Sequence, residues 1–378
     1  MNKLFLPGLI LFASGVLAQS HQWTPAEAND WYVRQPWIAG SNYSQSNTLN
    51  QFDMWQQTYF DADRIDLEFK WAEDLGMNTM RVFLHDLLYK DSPGGLKGRM
   101  EKLLRLADKH KMRVIFVLFD STGDPFPEAG PQRNPRAGVR DSLWAQSPGA
   151  RGLTDSSQTE RLFSYVKEII SAYSIDKRIL AWDLWNQPDN LNQGTGFATS
   201  EPTIKYEKVL ALLPKLFDYA RAALPEQPIT SGLWKGDWSS PDKLSPIEKL
   251  QIERSDFISF QNYDGPQEFE KRVKWLQAYG RPVVCTGFMA RTQGSTIEAI
   301  LPIAEKNNVG ALISSLVAGK RLLYLPLDSW QTPYIDRQPD VWFQDLFRSN
   351  GTPYRPPEVD FIRDAIRKAP KPVVSKKK

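Results

Sequence analysis

The chain has 378 residues, and its 47 lysines and arginines nearly balance 44 aspartates and glutamates, for a formal net charge of +3. That balance excludes the broad basic field with which a protein meets nucleic acid. One cysteine excludes an intramolecular disulfide, and three histidines without a pair at ligand spacing give no basis for a metal centre or other cofactor.

The N-terminus reads "MNKLFLPGLILFASGVLAQS". Lys3 supplies a charged start, Leu4 to Val16 an apolar run, and Val16-Leu17-Ala18 a small-residue cleavage site. Residues 1–18 are therefore expected to be a signal peptide cleaved after Ala18, which sends the mature chain to the periplasm or outside the cell. The apolar run is too short to span a bilayer comfortably, and no later segment reads as a membrane span.

Strand-like runs then alternate with helix-like runs. The expected strands are 36–43, 78–85, 113–120, 178–185, 227–234, 256–263, 281–288 and 310–317. Most are continuous apolar runs ending in polar or aromatic residues, the pattern of parallel strands buried on both faces. Between them lie amphipathic segments such as 61–76, 96–111, 157–173, 203–224, 267–280 and 296–308. Eight βα units without an evident linker predict a single (β/α)8 barrel over 19–367, followed by a basic solvated tail at 368–378. A doubly wound open sheet is the alternative, but it calls for a Gly-rich phosphate loop that the early strands do not offer.

Two connections exceed ordinary βα loops: 121–155, dense in Pro, Gly and Arg, and 320–342. Both follow strand ends and so belong to the C-terminal rim, where barrel sites form. The strand ends offer the rest of that mouth: Asn42 and Tyr43, Arg81 and His85, Asp120, Asn186 and Gln187, Trp234, Gln261 with Tyr263, Gly287, then Ser314, Ser315, Asp328 and Trp330. Trp144, Trp234, Trp238 and Trp330 are candidate stacking platforms for sugar rings, and the Asn and Gln amides match hydroxyl groups.

In order along the chain come Arg81, "WDLWNQP" (182–188), "SFQNYD" (259–264), "CTGFMAR" (285–291), "VAGK" (317–320), "DSW" (328–330) and "NGTPYR" (350–355). With these the sequence resembles clan A glycoside hydrolases, close to family 5, the cellulases and mannanases, over nearly all of the mature chain. The resemblance implies a TIM barrel, no cofactor, and an oligo- or polysaccharide ligand. It also implies two glutamates, an acid/base after the strand-four Asn and a nucleophile ending strand seven. A retaining pair of that kind stands about 5–5.5 Å apart. Carried over by position, Gln187 holds the acid/base place and Gly287 the nucleophile place. A Gln amide does not titrate near neutral pH, and glycine leaves a void where a carboxylate would stand. The strand-six "H-x-Y" is replaced by Gln261-Asn262-Tyr263, and the strand-eight Trp by Ser314 or Ser315.

The leading expectation is thus an exported glycoside-hydrolase-like barrel that binds carbohydrate without cutting it. Binding would use Asn42, Arg81, His85, Asn186, Trp234, Gln261, Tyr263 and Trp330; the other reading of His85 is a hydrogen-bonded structural residue. Arg81 would pair with Asp120 or stay as an anion-attracting group, Asp183 would be a structural hydrogen-bonding residue, and Cys285 would pack inside the barrel below Gly287. Two rivals remain. One is an active glycosidase or transglycosidase using relocated carboxylates, Asp120 and Asp328. The other is an interaction protein with a vestigial mouth.

Overall fold

The computed structural model describes residues 21–369. The expected leader lies outside the described residues, and so does the tail from 370 onward; Lys368, placed in that tail by the sequence, ends the last helix, Pro356–Lys368. Among the described residues no helix is long and apolar enough to cross a membrane.

All eight expected strands form: β1 Ala39–Tyr43, β2 Thr79–Phe83, β3 Arg113–Asp120, β4 Ile179–Asn186, β5 Ile229–Gly232, β6 Ile258–Gln261, β7 Val283–Phe288 and β8 Gly310–Ile313. They pair in parallel in the order β5-β4-β3-β2-β1-β8-β7-β6. The two edges meet where Leu233 N–H donates to Ser259 O and Gln261 N–H donates to Leu233 O, both at 2.9 Å. The protein is a (β/α)8 barrel, and the open-sheet alternative is set aside.

Side-chain alternation gives the barrel two environments. Ile38, Ile115, Leu180, Val284 and Leu312 pack at the lower end of the interior. Met80, Val82, Phe116, Trp182 and Phe260 face outward against the helices. Cys285 belongs to this outer layer and not, as the sequence spacing implied, to the interior below Gly287. The reason is a register shift in β7 between Cys285 and Phe288. Burial pushes the Cys285 thiol up to about 12, so it is an inert packed group.

The helix Pro25–Val33, unforeseen in the sequence reading, closes the bottom: Trp31 meets Phe257 at 5.6 Å between ring centroids. Thr24 and Glu27 form a capping box at its start, and Ser245 and Glu248 do the same for another unforeseen helix, Pro246–Arg254.

The interior's upper half is polar, and one buried ion pair anchors it. Arg81 donates to Asp183 Oδ2 from Nε at 3.1 Å and Nη2 at 2.7 Å, with both side chains fully enclosed. Arg81 therefore pairs with Asp183 and not with Asp120. Removing one member of such a pair strands a buried charge. Asp183→Asn is expected to lower unfolding free energy in urea by about 3–5 kcal/mol; an unchanged urea midpoint would show that the pair carries no such strain.

Candidate functional site

The floor of the mouth is a connected set of side chains hung from Arg81. Its Nη1 donates to Asn42 Oδ1 at 2.8 Å, and Nη2 donates to Asn186 Oδ1 at 3.0 Å. Asn42 Nδ2 in turn donates across the barrel to Thr286 O and Ile313 O. Asn186 reaches the interior because β4 slips register against β5 between Asp183 and Asn186. Its Nδ2 donates to Asp120 Oδ1 at 2.9 Å, and its Oδ1 also accepts from Gln261 Nε2 at 2.8 Å.

Gln187 follows β4 in a left-handed backbone conformation, φ +47°, a turn that rolls its side chain toward the mouth. Its amide is used at both ends. Nε2 donates to Gln261 Oε1, and Oε1 accepts from Asn190 Nδ2 at 2.5 Å. Beneath this turn lies a buried ion pair, Lys205 with Glu201, at 2.9 Å. Lys205 Nζ also donates to Asn190 O and Ser121 O, so it fixes the 187–192 backbone from below. Burial pushes the Lys205 amine down, and Glu201 opposes that.

The place above Gly287 is not the void the sequence suggested. A Cβ there would meet Tyr263 Oη at 3.0 Å and Gln261 Cγ and Cδ at 3.1 and 3.2 Å. Tyr263 Oη donates to Gln261 Oε1 at 3.4 Å, which ties the two fillers together. The space a longer residue at 287 would enter is therefore occupied by Gln261 and Tyr263.

Two carboxylates line the mouth, Asp120 and Asp141. Asp120 accepts from Trp144 Nε1 at 2.7 Å, from Asn186, and from Thr122 N at 2.9 Å. Burial pushes its carboxyl up, while these donors pull it back. Asp141 is held by Arg321, Nε to Oδ1 at 2.8 Å and Nη2 to Oδ2 at 2.9 Å. Asp328 is elsewhere. It is exposed on the 320–342 loop, accepts from Tyr334 Oη at 3.1 Å, and lines a neighbouring groove instead of the mouth.

The aromatic candidates divide. Trp234 lines the mouth half-buried, its Nε1 donating to Asp189 Oδ1 at 2.7 Å. Trp330 also lines it, with Phe197 edge-on at 5.2 Å and the Arg136 guanidinium 5.2 Å from its centroid. Trp144 borders the mouth too but is nearly enclosed, the Arg321 guanidinium lying 3.7 Å from its centroid. Trp238 is fully buried against Glu248 and is a core residue.

His85 takes the structural one of its two expected roles. It is fully buried, caps the helix Asp86–Asp91 by accepting Leu87 N–H at Nδ1, and meets Gln146 O through Nε2 at 2.9 Å. Burial pushes it down to about 4, so it is a neutral structural group and does not line the mouth.

The cavity measures about 310 Å³. Its remaining wall comes from residues the sequence reading did not single out, among them Asn190, Asn192, Gln293, Arg140 and Phe343. All sit on long connections where no periodicity points inward. Among the described residues no group of His, Cys, Asp and Glu could hold a metal ion.

No family model and no curated protein matches this sequence. The solved structures give a likeness of fold. A GH5_18 protein from Streptomyces cattleya, crystallised with GlcNAc, is 16% identical over 90% of this chain and 82% of its own, with a TM-score of 0.61. An exo-β-1,4-mannosidase from Opitutaceae bacterium strain TAV5 is 17% identical over 87% of this chain, with a TM-score of 0.59; the match spans 59% of that enzyme. A hyperthermostable endo-1,4-β-D-mannanase from Thermotoga petrophila RKU-1 is 15% identical over 87% of this chain and 99% of its own, with a TM-score of 0.54.

The crowding above residue 287 makes a direct prediction. Gly287→Glu should destabilise the protein by about 1–3 kcal/mol through overpacking. Gln261→Ala in the same chain should return most of that loss. The check is thermal unfolding of the wild type and of the single and double variants. A Gly287→Glu protein as stable as wild type would mean that the position has room to spare. The (β/α)8 architecture shared with these mannosidases and mannanases is what the likeness establishes for this chain.

Proposed function

We propose that this protein binds an uncharged β-linked glycan at the barrel mouth and does not cleave it by the two-carboxylate route. The observation that carries the reading is the closed amide floor. Gln187 is bonded at both ends of its amide, and Gln261 with Tyr263 fills the space above Gly287. A retaining mechanism needs a titratable donor and a nucleophile about 5–5.5 Å apart across the scissile bond. An amide and a glycine provide neither.

Binding has better support. Trp234 presents a ring pinned by Asp189, and the exposed Gln293 amide at the rim offers both donors and an acceptor. Such a lining suits hydroxyl-rich, neutral rings. The expected signal peptide would bring the site to glycans outside the cytoplasm. The names of the structural neighbours, β-1,4-mannosidase and β-1,4-mannanase, make β-1,4-manno-oligosaccharides the first probes.

One observation favours residual hydrolysis: burial pushes the Asp120 carboxyl up, the direction a general acid requires. Its four donors, the Thr122 hydroxyl included, and the placement of Asp328 in the neighbouring groove weigh against that use.

A glycan array combined with a product assay on the same sugars tests the reading. Binding without released product is expected, and Trp234→Ala should weaken it by about tenfold or more, as loss of a stacking anchor does. Turnover that disappears in Asp120→Asn would overturn it.

A further inference from the structure

The connections above the barrel are uneven. After β6 only residues 262–265 precede the helix Pro266–Gln277. After β4 the chain runs through 187–204 before the helix Lys205–Ala222, and after β8 through 314–355 before Pro356–Lys368. β4 and β8 stand opposite each other, four strands apart in either direction around the barrel. Their connections nevertheless touch. Gln331 Nε2 donates to Gly194 O at 2.9 Å, and Phe197 meets Trp330 edge-on. Trp330 also packs on the Gly196 backbone, where a Cβ would stand 2.9 Å from its Cζ3 and 3.0 Å from Arg136 Nη1. Arg136, from the connection after β3, lies over the Trp330 ring.

That third connection closes the arc between the other two. Toward β8, Tyr334 N–H donates to Gly138 O at 2.8 Å, and Asp141 N–H donates to Arg321 O at 2.6 Å. Gly138 has φ +66°, and a Cβ on it would fall 2.5–2.7 Å from the Tyr334 backbone, so the two segments meet main chain to main chain. Toward β4, Gly123 N–H donates to Asn192 Oδ1 at 2.9 Å, and Gln146 Nε2 donates to Glu201 Oε1 at 2.6 Å. Over β1 and β2 the same connection is tied down by Asn50 Nδ2 donating to Leu143 O at 2.8 Å and by Ser147 Oγ donating to Asp86 Oδ1 at 2.7 Å. One bonded wall therefore runs from β4 past β3, β2 and β1 to β8. It is already formed, so a ligand is spared the cost of ordering it.

The low side of the rim belongs to β5, β6 and β7, three strands of eight and less than half the circle. A β-1,4-linked chain is extended and does not double back. To lie across the mouth it needs exits on two opposite sides, and the wall removes one of them. The cavity, about 310 Å³, also stands near the lower end of the roughly 300–1,000 Å³ usual for ligand pockets.

We propose that the mouth is a blind site that takes the terminus of an uncharged glycan chain and excludes the chain's interior. This rests on the reading of the mouth as a glycan site. The terminal unit faces the amide floor, and the rest of the chain leaves over the low side, past Trp234 and Gln293. Trp330 then shapes the wall, and Trp234 carries the stacking.

The test counts protein molecules bound per glycan chain, by calorimetric titration of the protein with β-1,4-mannohexaose and with a long, linear, water-soluble β-1,4-glucomannan. One protein per chain is expected for both. Cutting each glucomannan chain once on average should double the protein bound per gram. Phe197→Ala/Trp330→Ala, which opens the wall where the two connections cross, is expected to let two or more proteins bind each uncut chain. More than one protein per uncut chain in the wild type, or a capacity per gram that cutting leaves unchanged, overturns the proposal while leaving the mouth reading intact. A double variant still held to one protein per chain overturns it too. Failure of the wild type to bind either sugar sinks the mouth reading itself.

Discussion

The polar half of this barrel depends on one buried charge. The Arg81 guanidinium is fully buried among the strands, and it is tolerable there because Asp183 neutralises it and Asn42 and Asn186 accept two further hydrogens. Each acceptor is thereby oriented. With Oδ1 turned to Arg81, Asn42 must send its Nδ2 to the backbone of β7 and β8, and Asn186 must send its own to Asp120. The guanidinium thus sets the polarity of every amide around it, and through Asn42 it also laces the first strand to the last two.

The same polarity runs outward to the mouth. Asn186 Oδ1 accepts from Gln261, so Gln261 presents its oxygen to Gln187, whose own oxygen accepts from Asn190. Each amide is consumed by its neighbour. A carboxylate at 187 could not donate to Gln261 unless protonated, and one at 287 would displace Gln261 altogether. The residues at 187, 261 and 287 therefore form one coupled arrangement, in which each residue type suits the others. It leaves few polar groups of the floor without a partner.

Much of this was legible in the sequence, and the limits have physical causes. Continuous apolar runs located all eight strands, because parallel strands buried on both faces leave that mark. Strand-end positions brought Asn42, Arg81, Asp120, Asn186, Gln187, Trp234, Gln261 and Tyr263 to one mouth region. Local register escaped. The shift in β7 turns Cys285 outward, and nothing in a run of small and apolar residues announces it. Pairing across the barrel escaped too: the sequence left Arg81 either with Asp120 or as an anion-attracting group, whereas it pairs with Asp183 in the interior. His85 takes its structural role and not a place in the mouth because it lies past the end of β2, where the chain has already turned into a helix. The capping boxes at Thr24 and Ser245 were readable signals that the strand pattern overshadowed. The long loops gave no inward periodicity, and the residues they add to the wall became visible only once folded.

The account's central claim is that sugar rests on the amide floor and stays whole. A crystal structure of the protein soaked with β-1,4-mannotriose tests it most directly. The account predicts an intact chain against Trp234, with Gln187 and Gln261 still bonded to each other beneath it. Cleaved sugar in the mouth, or a ring lying below the Gln261 amide in contact with Gly287, would contradict it.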